Sequence, residues 1–168
     1  MADPRPVDPG RLVQVAQLGL AVLALSIGLL LYLLDRPAGH AALIPAAWSR
    51  PAGGGAVFGA AAAWLPSFLH PFAFSLLTAA TLPRSTAAAA GSCALWWGIG
   101  LGFEILQHPA LALPVAAALH GVPGLQTLAR FGLQGRFDLA DIAALSAGAC
   151  AAATLLFVFQ PREVRHEP

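Results

Sequence analysis

The residues able to do chemistry in this chain are few, and most fall in two short stretches. Glu104-Ile105-Leu106-Gln107 sets a carboxylate and a carboxamide three residues apart, on one face if the segment is helical. Gly135-Arg136-Phe137-Asp138-Leu139-Ala140-Asp141 brings a guanidinium and two carboxylates within six positions. Glu104, Asp138 and Asp141 are three of only eight acidic residues, and all three sit where apolar runs end or begin. His70 stands upstream, close to Phe72 and Phe74. Such a set offers acceptors for a polar ligand, a cation for an anionic group, and an imidazole for proton transfer. Ionisable groups at the edge of an apolar span are costly, so they mark candidate functional sites.

The elements that must position these groups follow from composition. The chain has 168 residues, 58% of them hydrophobic and 10% charged. Soluble domains carry about 25% charged residues, so this chain cannot cover a water-facing surface and its solvent is lipid. A net charge of +1 gives no case for nucleic-acid binding. All nine basic residues are Arg, which says nothing of function. Cys93 and Cys150 lie inside apolar runs, with no Cys or His at metal-ligand spacing, and read as small buried packing residues. No metal or cofactor is expected.

Residues 1–10 read as a polar tail rich in Pro and charge. Residues 12–34 contain no charge and are long enough to cross a bilayer. A secretory h-region is about 7–15 residues, so this run reads as an uncleaved first span. A Pro- and Gly-rich linker with Arg50 and an interfacial Trp48 covers 37–55. Pro66 and Pro71 interrupt the next apolar region, so the second span is placed at 64–82 with a lead-in before it. The third span covers 86–107, and its Gly98 and Gly102 form a Gly-x-x-x-Gly pair that is read as close packing inside the bundle ahead of specific dimerisation. Trp96 and Trp97 lie too deep for an interfacial belt and fill the bundle or face lipid. Residues 110–119 are apolar but too few to cross, which fits an interfacial or re-entrant segment. Residues 120–135 read as a polar loop, 139–159 as the fourth span, and 160–168 as a charged tail.

The expected fold is therefore all-α, a single membrane domain over 1–168 built as a four-helix bundle. Four spans put both termini on one side. Arg5, Arg11, Arg84, Arg162 and Arg165 lie on that side, against Arg36, Arg50, Arg130 and Arg136 on the other. The excess of one favours cytoplasmic termini. Three spans then deliver His70, Glu104, Gln107, Asp138 and Asp141 to the outer leaflet. Trp97, Gly100, Glu104 and Gln107 share one helix face; Asp138, Asp141, Leu145, Gly148 and Ala152 share another. Asp138 also suits a helix cap.

At these residues the sequence resembles the VanZ-like family of small bacterial membrane proteins. The family pattern has a His leading an aromatic-rich span, Glu-x-x-Gln at a span's end, an Arg followed five residues later by Asp, then an Asn and a Gly. His70 with Phe72 and Phe74, Glu104 with Gln107, and Arg136 with Asp141 and Gly148 correspond. The chain departs at Ser67, where the family has a basic residue, and at Leu145, where it has Asn. An insertion over 109–134 separates the second and third elements. The likeness covers 64–152. It implies a multi-pass protein of the bacterial plasma membrane and cell envelope; the family takes its name from a protein linked to resistance to the antibiotic teicoplanin.

Three readings of function follow. In the first, His70, Glu104, Gln107, Arg136, Asp138 and Asp141 form a polar network that binds a lipid-linked envelope precursor or a glycopeptide beside membrane lipid. In the second, the chain is a membrane-embedded enzyme with His70 as acid or base, although no nucleophile–base pair supports a catalytic assignment. In the third, Glu104 and Arg136 pair to lock spans three and four, and the chain is structural. A transporter is less favoured, since four spans are few and no inverted repeat stands out. Oligomeric state is left open.

Overall fold

Long runs without charge dictate the helices, because a backbone in hydrocarbon must satisfy its own hydrogen bonds. The computed structural model describes residues 8–35 and 56–159. Its helices are α1 (Pro9–Asp35), α2 (Ala61–Thr81), α3 (Thr86–Leu106), α4 (Pro109–Leu119), α5 (Gln126–Gln134) and α6 (Leu139–Val158). The described residues contain no strand. The expected polar tails and the 37–55 linker, with Trp48 and Arg50, lie outside the described residues, apart from residues 8–10.

The fold is all-α: a four-helix bundle of α1, α2, α3 and α6, with two short helices between α3 and α6. α2 is its centre and packs against α1, α3 and α6, while α3 also packs on α6. The start of α1, the end of α2, the start of α3 and the end of α6 meet at one end, around Val13, Leu76, Ser85 and Leu156. The chain thus runs up, down, up and down, with α4 and α5 inserted at the other end.

Three helices, α1, α3 and α6, are long and apolar enough to cross a membrane. Only 22%, 17% and 28% of their most apolar windows is buried inside the bundle, so most of their apolar surface points outward. Leu12, Val15, Leu95 and Val158 are examples, all more than half exposed. That is the surface of a protein solvated by lipid. α2 matches α3 in length, and Trp64, Pro66, His70 and Pro71 interrupt its apolar sequence. Three of the four expected spans are thus long and apolar enough to cross a membrane, and the fourth, α2, lies at the centre of the bundle.

The core is built from small residues. Ala21, Ala24, Ala73, Ala89, Ala149 and Ala152 are buried, with Leu31, Leu76 and Leu145 filling between them. Close approach is most extreme at Gly148, where a Cβ would overlap the Phe68 carbonyl of α2. The expectation for Gly98 and Gly102 is corrected: both face away from the bundle, and a Cβ added at either would meet nothing within 4 Å. Gly100, between them on the helix, takes the packing role against Leu145.

The two prolines do not break α2, which is continuous and begins three residues earlier than expected. Both are buried against neighbouring helices, and such packing is what lets a membrane helix tolerate proline. Polar side chains also tie the bundle. Gln17 Nε2 donates to the Leu76 carbonyl at 2.6 Å and Gln14 Nε2 to the Ala80 carbonyl at 2.8 Å. At the far end Asp35 accepts from the backbone N–H of Val57 at 2.7 Å and of Phe58 at 2.8 Å. That carboxylate joins the end of α1 to the approach to α2.

The inserted region is more ordered than a loop. α4 has 11 residues, about 16 Å, roughly half the hydrocarbon thickness. α5 falls where a polar loop is expected. Its buried residues are Ala129 and Gly132, and Gly132 lies against Leu106 at the end of α3. The Phe131 ring meets Phe103 edge-on, with centroids 5.2 Å apart.

Candidate functional site: a carboxylate cluster at one end of the bundle

α6 begins where the chain turns back from α5. Asp138 is its N-cap: the backbone there is extended and Oδ1 accepts from the Ala140 N–H at 2.9 Å. This satisfies one of the free donors of the first turn. Asp141 lies one turn on, where a carboxylate suits the helix dipole. Ser67 of α2 donates its hydroxyl to Asp141 Oδ1 at 2.6 Å, a charge-assisted bond between two helices.

Glu104 occupies the last turn of α3, half-buried between these elements. Asp141 and Asp138 both act on its carboxylate electrostatically, and the Asp138 backbone N–H is turned toward it. Gln107 Nε2 stands 3.5 Å from Glu104 Oε1 and donates to the Phe103 carbonyl at 3.2 Å. Glu104 Oε2 is sealed from solvent and has no hydrogen-bond partner. The Gln107 side chain lies directly over Gly135, where any Cβ would overlap it. A side chain at 135 would have to displace that of Gln107.

Four of the six expected residues therefore meet: Glu104, Gln107, Asp138 and Asp141. The two helix faces read from the sequence do face each other, with Leu145 against Gly100. Arg136 is different. It is exposed, and no cation is among the groups acting on Glu104. The expected Glu104–Arg136 pair does not form among the described residues. Arg136 precedes the N-cap in an extended segment, and its long side chain reaches solvent instead of turning back under α3.

His70 also stands apart in its contacts. Its ring stacks on Phe74 with centroids 6.1 Å apart and lies 6.5 Å from Tyr32 of α1. Phe74 in turn stacks on Trp96 at 4.6 Å, and Trp96 Nε1 donates to Thr78 Oγ1 at 2.8 Å. His70 thus belongs to an aromatic row over α1, α2 and α3. Among the described residues the ring contacts of His70 are aromatic, with Tyr32 and Phe74, and bring no Ser, Cys or carboxylate to it.

Sequence reasoning missed Ser67, His108 and the polar residues within the helices. Ser67 is three residues before His70, a signal for the same end of α2, although its hydroxyl faces α6. His108 caps α4 by accepting from the Ala110 N–H at 3.3 Å, and its ring meets Phe137 edge-on. Among the described residues no group of three or more His, Cys, Asp or Glu is arranged to hold a metal ion. Chemically the cluster is rich in acceptors: three carboxylates and a carboxamide oxygen, with Ser67 already engaged. It suits a ligand group that donates hydrogen bonds or carries positive charge.

No family model matches this chain, and neither a curated protein nor a solved structure does.

Proposed function

We propose that this chain is a VanZ-like multi-pass protein of the bacterial cell envelope, lying in the plasma membrane with cytoplasmic termini. Its carboxylate cluster then faces the outer leaflet and binds the donor-rich polar part of a lipid-linked wall precursor or glycopeptide. The observation that carries this reading is Glu104 Oε2: an acceptor sealed among acidic neighbours with no partner of its own. A polar atom left this way costs about 1–3 kcal/mol or more, and a ligand donor or cation would relieve it. The family reading draws support from residues dozens of positions apart that come together here: Glu104 and Gln107 of α3 meet Asp141 of α6. At Ser67 the chain departs from the family, which has a basic residue there; the serine instead donates its hydroxyl to Asp141.

The test is Glu104→Gln beside wild type, with membrane abundance, thermal stability and teicoplanin susceptibility read on the same cells. Unchanged abundance and stability with altered susceptibility is the expected result. A collapse of stability would make Glu104 a strut, and an absent wild-type phenotype would remove the glycopeptide reading.

A further inference from the structure

The α4–α5 hairpin carries more apolar surface than its own packing covers. α4 has no polar side chain between its capping residues, His108 and His120, and it buries only Ala112. Leu111 is 42% exposed and Leu113 69%. Val122 and Leu125, in the turn that follows, are exposed as well. No Asp, Glu, Lys or Arg occurs from 105 to 129. α5 is two-sided. Leu128, Ala129 and Gly132 share the face that packs, while Gln126, Arg130 and Gln134, spaced by four, share the opposite face and are exposed.

The sequence leaves two placements open for α4, interfacial and re-entrant. The packing distinguishes them. The hairpin meets the bundle at the end of α3, through Phe131 on Phe103 and Gly132 on Leu106, and α4 packs mainly on α5. One turn further into α3, Ile99 is exposed, and Gly98 and Gly102 meet nothing within 4 Å. A re-entrant hairpin, folded back along α3 into the bilayer, would cover those positions. This one leaves them open and so projects sideways from the end of the bundle.

We propose that the α4–α5 hairpin lies flat in the membrane interface and docks on a phospholipid surface, with α4 among the upper acyl segments and the polar face of α5 toward the headgroups. Amphipathic segments that dock this way sink their apolar face about 5–10 Å into the headgroup–acyl boundary. Charge complementarity supports the partner. The only charges between Glu104 and Asp138 are Arg130 and Arg136, both exposed, and guanidinium pairs well with lipid phosphate. Docked so, the hairpin holds the α5–α6 connection, with Gly135 under Gln107, at headgroup level. The inference is independent of the VanZ-like reading and of which membrane face carries the hairpin.

The experiment places single fluorescent labels on the full-length chain in phosphatidylcholine–phosphatidylglycerol vesicles, through Leu113→Cys, Ala117→Cys or Gln126→Cys in a Cys93→Ala, Cys150→Ala background. All three labelled positions are exposed, so the fold has room for the probe. Quenching is read with iodide from water and with lipids brominated at graded acyl depths. Labels at 113 and 117 should be shielded from iodide and quenched at one shared depth, while the label at 126 should be quenched by iodide. Along a re-entrant helix, four residues would set 117 about 6 Å deeper than 113, and that difference would overturn the proposal. Iodide quenching at 113 equal to that at 126 would place the hairpin in water and overturn it too. So would shielding of 113 from both quenchers, which would mean that protein covers α4.

Discussion

Replacing Gly148 by Ala tests how the bundle is held together. In a helix interior Ala is favoured over Gly by about 1 kcal/mol, so propensity alone predicts stabilisation. The structure predicts the reverse. A Cβ at position 148 falls on the backbone carbonyl of Phe68, which cannot rotate away as a side chain could. α2 and α6 must separate, and with them the buried contacts of Leu69, Leu145 and Ala152. Overpacking of this kind costs about 1–3 kcal/mol, occasionally more, and a backbone clash belongs at the upper end. The net loss is then about 2 kcal/mol. Gly98→Ala is the internal control: its Cβ meets open space, so it should gain up to about 1 kcal/mol. The two variants should differ by about 3 kcal/mol, or roughly 6–12 °C in Tm for a chain of this size. Thermal unfolding in detergent micelles, followed by loss of the monodisperse species, measures that difference. Phe68→Ala should not rescue Gly148→Ala, because the clash is with main chain. If Gly148→Ala melts at or above wild type, the close α2–α6 crossing is wrong.

The remaining predictions concern the polar end. Ser67→Ala removes the donor to Asp141 and should cost about 1.5–3 kcal/mol, the range for hydrogen bonds to charged groups, read as a lower Tm in micelles. Asp138→Ala should cost about 1 kcal/mol through loss of the α6 cap, while Asp138→Asn should keep most of it; equal melting of the two would show that the cap is immaterial. Deleting 110–133 should leave the chain resistant to carbonate extraction from membranes, because α1, α3 and α6 are untouched. The same deletion uncovers Leu106 and Phe103 and should lower Tm without loss of insertion.

The helices are legible in the sequence because charge and length bound them. The four long runs lie within a few residues of the observed helix ends, and α4 is where a short apolar segment is expected. α5 is not legible. Its sequence is polar enough to read as loop, and its small buried face, Ala129 and Gly132, has meaning only once α3 lies beneath it. Proline misleads for a related reason. Pro66 and Pro71 weaken an isolated helix, but both are buried among neighbouring helices that hold α2 together.

At the site, periodicity places Glu104 with Gln107 and Asp138 with Asp141, because those relations lie within one helix turn. Relations between helices are harder. The Arg136 pairing is a sound expectation from charge alone, yet its position before the α6 cap turns it to solvent. The Ser67–Asp141 bond spans 74 residues and is carried by an ordinary serine, with no local pattern to announce it. His70 can be assigned to an end of the bundle but not to a side, and its ring turns to Tyr32 and Phe74.

By itself, then, the sequence determined the solvent, the helical class and the end of the bundle at which charge collects. Those follow from composition and from periodicities internal to each helix. Only the tertiary structure decided which glycines touch, which acids meet without a cation among the described residues, and that of the two cysteines expected to be buried only Cys93 is. Those depend on helix rotation and register, which small differences in packing over the whole bundle set and no single segment encodes.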